Sequence, residues 1–265
     1  CIFKKTEEER FINLGSKNRG KSKKIVKFKN LFRRLIYGEN SKTNKNFESL
    51  NNVLEKNSKI LIIGGGSIGI GMNDFLKNCK SKNIRVESLD VYYSENITTI
   101  ADAHYLPFAN QSFDAVVVQA VLEHVLNPER VVFEIYRVLN KGGYVYSETP
   151  FMQSIHEGPF DFYRFSHSAH RWLFRKFEEI ESGAHQGGFS SLLFISSHVL
   201  SGIFRNKKIG IIVRIIFTRF CSILDNLLSQ TSNIDVASGC FFFGKKSIKT
   251  IQENQIVDYY RGNQL

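Results

Sequence analysis

The segment "KILIIGGGSIGIG" (59–71) constrains the fold more than any other stretch of the chain. An apolar run ends in Gly64, Gly66 and Gly69, with the spacing G-x-G-x-x-G. Glycines at this spacing typically follow a buried strand and open a helix, because residues without a side chain let a ligand approach the backbone closely. The segment predicts a strand at 59–63, a ligand-binding turn, and a helix that continues to about residue 80.

The chain alternates between strand and helix patterns up to residue 150. Strands are predicted at 84–90, 113–120 and 142–149, and a helix at 128–140 opens with a proline, which is favoured in the first helical turn. The β-branched run at 113–120 is typical of a strand that is buried on both faces. Such alternation predicts a parallel sheet with helices on both faces.

The pattern changes after residue 150. A short helix is predicted at 168–177, a strand near 178–182, apolar and basic helices at about 190–230, and a last strand at 239–247. His167 and His170, at the start of the short helix, are expected on the surface. The helices at 190–230 are interpreted as packing on the sheet edge, and a surface that enters a membrane interface is the alternative.

Positive charge is concentrated at the N-terminus. Residues 1–59 contain 16 of the 36 Lys and Arg residues but 6 of the 25 Asp and Glu residues, so they account for nearly all of the net charge of +11. A basic helix is predicted at 25–38, a polar linker at 39–46 and a helix at 47–57. We expect a solvated basic arm, with contact to anionic lipid or nucleic acid as the alternative.

Cysteine usage and hydropathy place the chain in a broad class. The four cysteines are far apart in sequence, at Cys1, Cys79, Cys221 and Cys240. They indicate neither a disulfide framework nor a zinc site, and a cytoplasmic location is expected. No segment reaches the ~20 apolar residues of a membrane span. His156, His167 and His170 have unsuitable spacing for a metal, so no metal site is predicted.

The glycine turn alone does not choose between two ligands. A dinucleotide would place its pyrophosphate on the N-terminus of the following helix, whereas S-adenosylmethionine needs close backbone approach to its methionine and ribose portions. Both ligands need an acid after the second strand for the ribose hydroxyls. Asp90, 24 residues after Gly66, suits either ligand. An NAD-binding oxidoreductase therefore stays open on these residues.

The downstream segments "ADAHYLPFANQSFDAVVVQAVLEHV" (101–125) and "RVLNKGGYVYSETP" (137–150) resemble the class I S-adenosylmethionine-dependent methyltransferases of the broad small-molecule type. The resemblance covers residues 59–150 well and extends more loosely to about 247. It implies a three-layer, Rossmann-like α/β fold with a mostly parallel seven-stranded sheet and an antiparallel last strand. The methyltransferase domain would span 47–250, after a basic arm and linker (1–46) and before a tail (251–265).

The resemblance implies that S-adenosylmethionine is the cofactor. Asp90 matches the acid that binds the ribose hydroxyls, and Asp102 matches the acid near the adenine amino group. The matching cofactor-binding positions together are Gly64, Gly65, Gly66, Gly69, Asp90, Asp102, Ala103, Gln119 and Ala120. Ile62 stands where the family usually has an acid that helps to hold the cofactor's ammonium group. A catalytically degenerate binding or scaffold protein with this fold is therefore a further alternative.

The loop "TPFMQSIHEGPFDFYRFS" (149–166) should face the acceptor, since ligands of open α/β sheets lie at the carboxyl ends of the strands. Its pattern is similar to a methyltransferase subgroup linked to bacterial surface-polysaccharide assembly. His156 is the predicted base for an acceptor hydroxyl, because its reference pKa lies near neutrality, and His124 is a second catalytic candidate. Asp161, Tyr163 and Arg164 are predicted to contact the acceptor; an Asp161–Arg164 pair that pins the loop is the alternative.

The expected reaction is O-methylation of a small-molecule or glycan-type acceptor. Residues 119–122 read Gln-Ala-Val-Leu, and not the Asn/Asp-Pro-Pro-aromatic run common in enzymes that methylate amino groups of nucleic-acid bases. No cysteine lies near the expected site to attack a pyrimidine carbon. Nucleic acid is therefore not the expected partner. Peripheral membrane contact, through the basic arm or the helices at 190–230, stays open.

Overall fold

The computed structural model describes residues 41–264 as a sheet with helices on both faces. The predicted basic helix at 25–38 lies outside the described residues. The strands are β1 (Lys59–Ile63), β2 (Arg85–Asp90), β3 (Thr99–Ile100), β4 (Phe113–Gln119), β5 (Leu139–Pro150), β6 (Phe177–Gln186) and β7 (Gly239–Lys246). The helices are α1 (Ser41–Val53), α2 (Met72–Ser81), α3 (Pro128–Val138), α4 (His167–Leu173), α5 (Gly188–Ile203), α6 (Lys207–Leu224) and α7 (Gln230–Asp235).

The seven strands form one sheet in the order β3-β2-β1-β4-β5-β7-β6. The first five in this order are parallel, and β7 runs antiparallel to both β5 and β6. The predicted α/β fold, with its mostly parallel sheet and antiparallel last strand, is confirmed. Because the chain leaves β1 in one direction and returns to β4 on its other side, a cleft opens at the carboxyl ends of these two strands.

Two apolar layers cover the sheet. Alternate residues of β1 point to opposite faces, as the strand period of two requires. Leu61 and Ile63 pack with α3 on one face, whereas Ile60 and Ile62 pack with α1 and α2 on the other. The central residues of β4, from Ala115 to Val118, are fully buried in these two layers. This burial confirms the prediction of a strand covered on both faces.

The predicted polar linker at 39–46 is wrong for residues 41–46, which form the first half of α1. Thr43 and Asn46 are buried, although their polarity had indicated a solvated segment. The Thr43 hydroxyl donates a hydrogen bond to Glu148 Oε1 (2.5 Å), and the Asn46 amide donates to the Tyr146 hydroxyl (3.2 Å). Their partners lie on β5, far away in sequence, so local polarity could not reveal the helix.

The prediction that His167 and His170 lie on the surface is also wrong. Both are buried, and each contacts a serine: His167 Nε2 lies 2.8 Å from Ser182 Oγ, and His170 Nε2 lies 2.9 Å from Ser147 Oγ. Burial lowers the pKa of His170 to about 3 and also lowers the pKa of His167. The two imidazoles are therefore neutral scaffold groups beneath the sheet.

The predicted helical stretch at about 190–230 consists mainly of α5 and α6, which pack on each other as a helical hairpin. The two helices meet through small residues. A Cβ atom on Gly210 would overlap the Ser197 carbonyl oxygen, so only glycine permits this close approach. Among residues 41–264, no helix combines the length and apolar character needed to cross a membrane.

Candidate active site

The glycine turn (64–69) joins β1 to the segment before α2 at the cleft. The amides of Gly64 and Gly65 both donate hydrogen bonds to the Leu89 carbonyl oxygen, at 2.8 and 3.1 Å, which fastens the turn to the end of β2. Gly64 has φ +79°, and a Cβ atom there would overlap Val121 Cγ2. The turn therefore needs glycine at 64 both for its backbone conformation and for space.

Asp90 lies at the carboxyl end of β2, next to the turn. Its Oδ2 accepts a hydrogen bond from the Gly66 amide (2.9 Å), and its Oδ1 accepts one from the Tyr92 amide (3.2 Å). These two bonds orient the carboxylate at the end of β2, and a carboxylate is an acceptor group of the kind that ribose hydroxyls need. The structure thus brings together the glycine turn and the acid that the sequence predicted to share one ligand.

A cavity of about 240 Å³ adjoins the turn. Its lining includes Gly64, Gly65, Gly69, Ser88 and Gln119. The Gln119 amide nitrogen donates to Glu148 Oε2 (2.6 Å) and to the Ile70 carbonyl (3.2 Å), whereas its Oε1 is buried and has no hydrogen-bond partner among the described residues. The glycine turn passes so close that a Cβ atom on Gly69 would overlap this oxygen. An unsatisfied acceptor therefore faces the turn.

The other predicted cofactor residues lie along the same edge of the sheet. Asp102 follows β3, and its Oδ1 accepts from the His104 amide (2.9 Å) and lies 2.6 Å from His104 Nδ1. Ala103 is buried beside it. Ala120 follows β4 in a left-handed conformation (φ +53°). Its amide donates a hydrogen bond to the Glu148 carbonyl oxygen (3.0 Å), which stabilises this conformation. The predicted cofactor residues did not include His104. Its proximity to Asp102 could have been inferred, because the two residues are only two positions apart in the sequence.

The opposite side of the cleft is formed by two segments that are distant in sequence. One is the short 3-10 turn Leu122–His124 after β4, and the other is the acceptor loop, residues 151–166, after β5. The amides of Phe162 and Tyr163 donate to the Glu123 carbonyl oxygen at 2.8 and 3.2 Å. His124 Nδ1 lies 2.9 Å from the Phe160 carbonyl oxygen. These contacts fix the loop at the carboxyl ends of β4 and β5.

Arg164 ties the acceptor loop together. Its five N–H groups all meet acceptors within the loop: both carboxylate oxygens of Asp161, and the carbonyls of Gln153 (3.1 Å), Ser154 (3.2 Å) and Tyr163 (2.7 Å). A guanidinium has five donors, so none is left for an anionic ligand. Of the two roles that the sequence left open for the Asp161–Arg164 pair, these contacts favour pinning the loop.

His156 is the predicted base and lies partly exposed on this loop. Its amide donates to Asp161 Oδ2 (2.9 Å), and its Nδ1 lies 3.4 Å from the same oxygen. Its ring lies 4.9 Å from the His124 ring, at 79°. Burial and the neighbouring His124 lower the pKa of His156, and a neutral imidazole can accept a proton at neutral pH. The Tyr163 hydroxyl, another predicted contact, donates to the Leu126 carbonyl (3.0 Å).

Sequence reasoning missed Glu123. Its side chain is fully buried, and neither carboxylate oxygen receives a hydrogen bond from another described residue. Oε1 lies 3.7 Å from His124 Nε2 and 3.8 Å from His156 Nε2. Burial raises the pKa of Glu123 to about 8. The sequence contains only a weak signal for this residue, namely an acid next to a histidine just after a buried strand. The signal is weak because an acid in a short turn is usually solvated.

Comparison with known proteins bears on this architecture. Residues 70–147 match a family described as "Methyltransferase domain". Over 81 residues the chain is 36% identical to the demethylmenaquinone methyltransferase of Lactobacillus johnsonii. That match covers 31% of this chain and 32% of the relative, so the chain spans about a third of the curated relative's length. The chain has the class I methyltransferase fold, and residues 70–147 belong to a methyltransferase domain family. The interpretation drawn from residues 59–150 is confirmed.

Solved structures show the same fold in proteins of varied activity. A phosphoethanolamine N-methyltransferase of Haemonchus contortus, in complex with S-adenosyl-L-methionine, has a TM-score of 0.52 and 17% identity, covering 82% of this chain and 56% of that one. The [4+2]-cyclase SpnF has a TM-score of 0.50 and 14% identity, covering 77% and 82%. At this identity the likeness concerns the fold. S-adenosylmethionine is the cofactor of the family, as predicted, but the activity has to be argued from the site.

Proposed function

We propose that this methyltransferase-fold protein is an enzyme that transfers the methyl group of S-adenosylmethionine to an oxygen of a small-molecule or glycan-type acceptor. One arrangement carries the proposal. The glycine turn and Asp90 form one side of the cleft, and a pair of imidazoles, His124 and His156, forms the other. A cofactor bound on the first side would present its methyl group to an acceptor on the second.

The residues at the turn fit the proposed cofactor. The Asp90 carboxylate, which could accept hydrogen bonds from the ribose hydroxyls, lies next to the glycine turn, and the turn allows close backbone approach. Gln119 Oε1, buried without a hydrogen-bond partner among the described residues, would accept a hydrogen bond from the cofactor's ammonium group. It would thereby substitute for the acid that the family usually has at the position of Ile62. This fit favours a working cofactor site despite the absence of an acid at position 62.

The residues of the acceptor side suit proton removal. When bound, the cofactor supplies an activated methyl group on a sulfonium. A neutral His156 imidazole can take the proton of an acceptor hydroxyl, and the nearby Asp161 carboxylate stabilises the resulting imidazolium. Arg164 keeps Asp161 in place through two hydrogen bonds. The loop thus holds the proton acceptor in a fixed position, where it could align an acceptor oxygen, and such alignment is the main contribution a protein makes to a displacement reaction.

An apolar groove beside the acceptor loop supports an acceptor that has an apolar portion. The groove has a volume of about 370 Å³ and lies between the loop and α5. Its apolar lining comes from Phe151 and Met152 on the loop and from Ile195 and Val199 on α5. A hydroxyl-bearing head group near His156 and an apolar chain in this groove would together describe a lipid-linked acceptor.

The helical hairpin supports contact with a membrane surface. Its outward residues are large and apolar, including Leu192, Val199, Ile203, Phe204, Ile212, Ile216, Phe217, Phe220 and Ile223, whereas α6 buries only Gly210 and Thr218. This arrangement is the reverse of a helix packed on a protein core. Residues 188–224 carry five basic residues and no acid. We therefore propose an anionic bilayer surface as the partner of the hairpin.

A methyl-transfer assay tests the proposed activity. The purified chain is incubated with labelled S-adenosylmethionine and either free sugars or lipid-linked sugars in vesicles. We expect label in the lipid-linked pool. His156→Ala should lose turnover while its affinity for S-adenosylhomocysteine stays within about twofold, because His156 lies outside the predicted cofactor site. Cofactor binding without transfer to any acceptor would favour a scaffold protein instead.

Vesicle flotation tests the proposed surface. The wild-type chain should float with anionic vesicles and remain unbound with neutral ones. A double variant, Ile216→Ser with Phe220→Ser, should bind less, because it removes two exposed apolar side chains from the hairpin. Ile248→Ser is the matched control, since Ile248 is 98% exposed but lies after β7. Light scattering that shows a dimer, broken by the double variant, would identify a second copy as the partner and contradict the membrane proposal.

A further inference from the structure

Three donor atoms converge on the acceptor side of the cleft. Glu123 Oε1 lies 3.7 Å from His124 Nε2 and 3.8 Å from His156 Nε2, and one donor atom from each of the three residues lies within 4.8 Å of the others. Metal–nitrogen and metal–oxygen bonds are about 2.0–2.2 Å long, so donors at these separations can share one ion after a small contraction. No other such group of His, Cys, Asp or Glu occurs among residues 41–264.

The state of Glu123 points to a missing partner. The side chain is fully buried, and its two oxygens receive no hydrogen bond from another described residue. A buried acid whose oxygens have no partner is unfavourable whether it is ionised or protonated, which is why buried acids are normally hydrogen-bonded, paired or bound to metal. The two imidazoles do not satisfy it, since 3.7 and 3.8 Å exceed the length of a hydrogen bond.

The two imidazoles already have the orientation that metal-binding histidines need. His124 Nδ1 lies 2.9 Å from the Phe160 carbonyl oxygen, so Nδ1 carries the hydrogen and Nε2, which lies 3.7 Å from Glu123 Oε1, keeps its lone pair. His156 Nδ1 faces Asp161 Oδ2 at 3.4 Å, and Arg164 holds that carboxylate. In metal-binding histidines, the ring nitrogen that does not bind the metal commonly donates a hydrogen bond to a carbonyl or a carboxylate.

We propose that Glu123, His124 and His156 bind a divalent first-row transition cation of the Zn²⁺, Mn²⁺, Co²⁺ or Fe²⁺ class. Two imidazole nitrogens and one carboxylate oxygen suit these ions, whereas Mg²⁺ and Ca²⁺ prefer oxygen donors alone. The sequence predicted no metal site because Glu123 was not considered and because His156 was grouped with His167 and His170. The structure instead groups His156 with His124.

The cation would have a defined part in the reaction, and this step rests on the proposed function. The acceptor hydroxyl oxygen takes an open position on the ion, which lowers the pKa of the hydroxyl, and its proton passes to water. The bond between the cofactor sulfur and the methyl carbon breaks, and the sulfur keeps the electron pair. The acceptor oxygen forms the new bond to carbon, giving a methyl ether and S-adenosylhomocysteine. In the metal-bound form His156 would be a ligand and the ion would activate the hydroxyl, so the proton removal by His156 described above applies to the metal-free enzyme.

Metal binding can be measured without turnover. The full chain is stripped with a chelator and dialysed separately against Mn²⁺, Co²⁺ and Zn²⁺, and bound metal is determined by mass spectrometry. We expect one ion per chain, and visible Co²⁺ absorption typical of nitrogen ligation. Glu123→Gln and His156→Gln should each weaken binding by at least about 100-fold, since second-shell losses alone reach 10–100-fold. His198→Gln, which removes an exposed histidine of the neighbouring α5, should bind metal as the wild type does.

The contradicting results are equally specific. Wild-type protein with no metal above the level of the dialysis buffer, or Glu123→Gln with unchanged Co²⁺ absorption, would overturn the site. If Glu123→Gln does not fold, the partly exposed His156 still allows the test through His156→Gln. Binding of S-adenosylhomocysteine is measured on the same samples. Metal binding without cofactor binding would contradict the proposed function but support the metal site. Cofactor binding without metal binding would support the proposed function but contradict the metal site.

Discussion

The two sides of the cleft are built in different ways. The side predicted to bind the cofactor is made mostly of backbone: a glycine turn, the hydrogen bonds from its amides to the end of β2, and one acid. The acceptor side is made of side chains from segments far apart in sequence, such as His124 and the loop carbonyl of Phe160, 36 residues later. A backbone site leaves a signature in one short segment. A side-chain site becomes visible only after folding.

The largest expected effect concerns the backbone side. Gly64→Ala should destabilise the turn by about 2–5 kcal/mol, because a left-handed residue with a Cβ costs about 1–2 kcal/mol and overlap with Val121 costs about 1–3 kcal/mol more. This cost should be divided between a lower free energy of unfolding and a lower affinity for S-adenosylhomocysteine. Gly158→Ala is the control: Gly158 also has a positive φ but has open space for a Cβ. Calorimetry and denaturant unfolding measure both quantities. Equal losses of affinity and of unfolding free energy in Gly64→Ala and Gly158→Ala would contradict the view that the backbone of the turn forms the cofactor side.

Asp90→Ala should weaken the binding of S-adenosylhomocysteine by about 1.5–3 kcal/mol, the scale of hydrogen bonds to a charged group. Calorimetry at fixed ionic strength gives this number. Asp74→Ala removes an exposed carboxylate that pairs with Lys77 on α2, and it should leave the affinity unchanged. A similar small change in both variants would mean that the ribose does not bind at Asp90.

Arg164→Lys tests the acceptor side alone. A lysine ammonium has three donors and cannot replace the five bonds of the guanidinium, so the free energy of opening the acceptor loop should fall by about 1–2 kcal/mol. Faster amide hydrogen exchange at residues 151–164 would report this change, with unchanged cofactor affinity. Arg175→Lys, at an exposed pair with Glu129, is the control. Weaker cofactor binding in Arg164→Lys would show that the two sides are coupled.

The smallest effect is a pH dependence from the scaffold. Because the folded-state pKa of His170 is about 3, against 6.5 in the unfolded chain, the unfolded chain binds a proton below pH 6.5 that the folded chain does not. The free energy of unfolding therefore falls as the pH decreases through this window, by about 1.4 kcal/mol between about pH 7.5 and 5.5 from this group. His170→Gln should have a correspondingly shallower dependence in denaturant unfolding. An unchanged slope would exclude His170 as the source.

The sequence predicted the sheet well, because strand patterns and glycine spacing are local. The positions of β1, β2 and β4 followed from apolar runs to within one residue, and Gly64 and Asp90 came together as expected. Glu123 could not be predicted, since its environment depends on the acceptor loop, which is distant in sequence and binds to the turn at residues 122–124. The buried His170 and the polar start of α1 were missed for the same reason: their partners, such as Ser147, lie on β5.

Calorimetry with S-adenosylhomocysteine and with NAD tests the central claim most directly, namely that the turn at Gly64 and the acid Asp90 bind an adenosyl sulfonium cofactor. The account predicts binding of one S-adenosylhomocysteine per chain, weakened by Asp90→Ala, and no heat with NAD. Saturable binding of NAD that the Asp90→Ala variant weakens, with no response to S-adenosylhomocysteine, would contradict it.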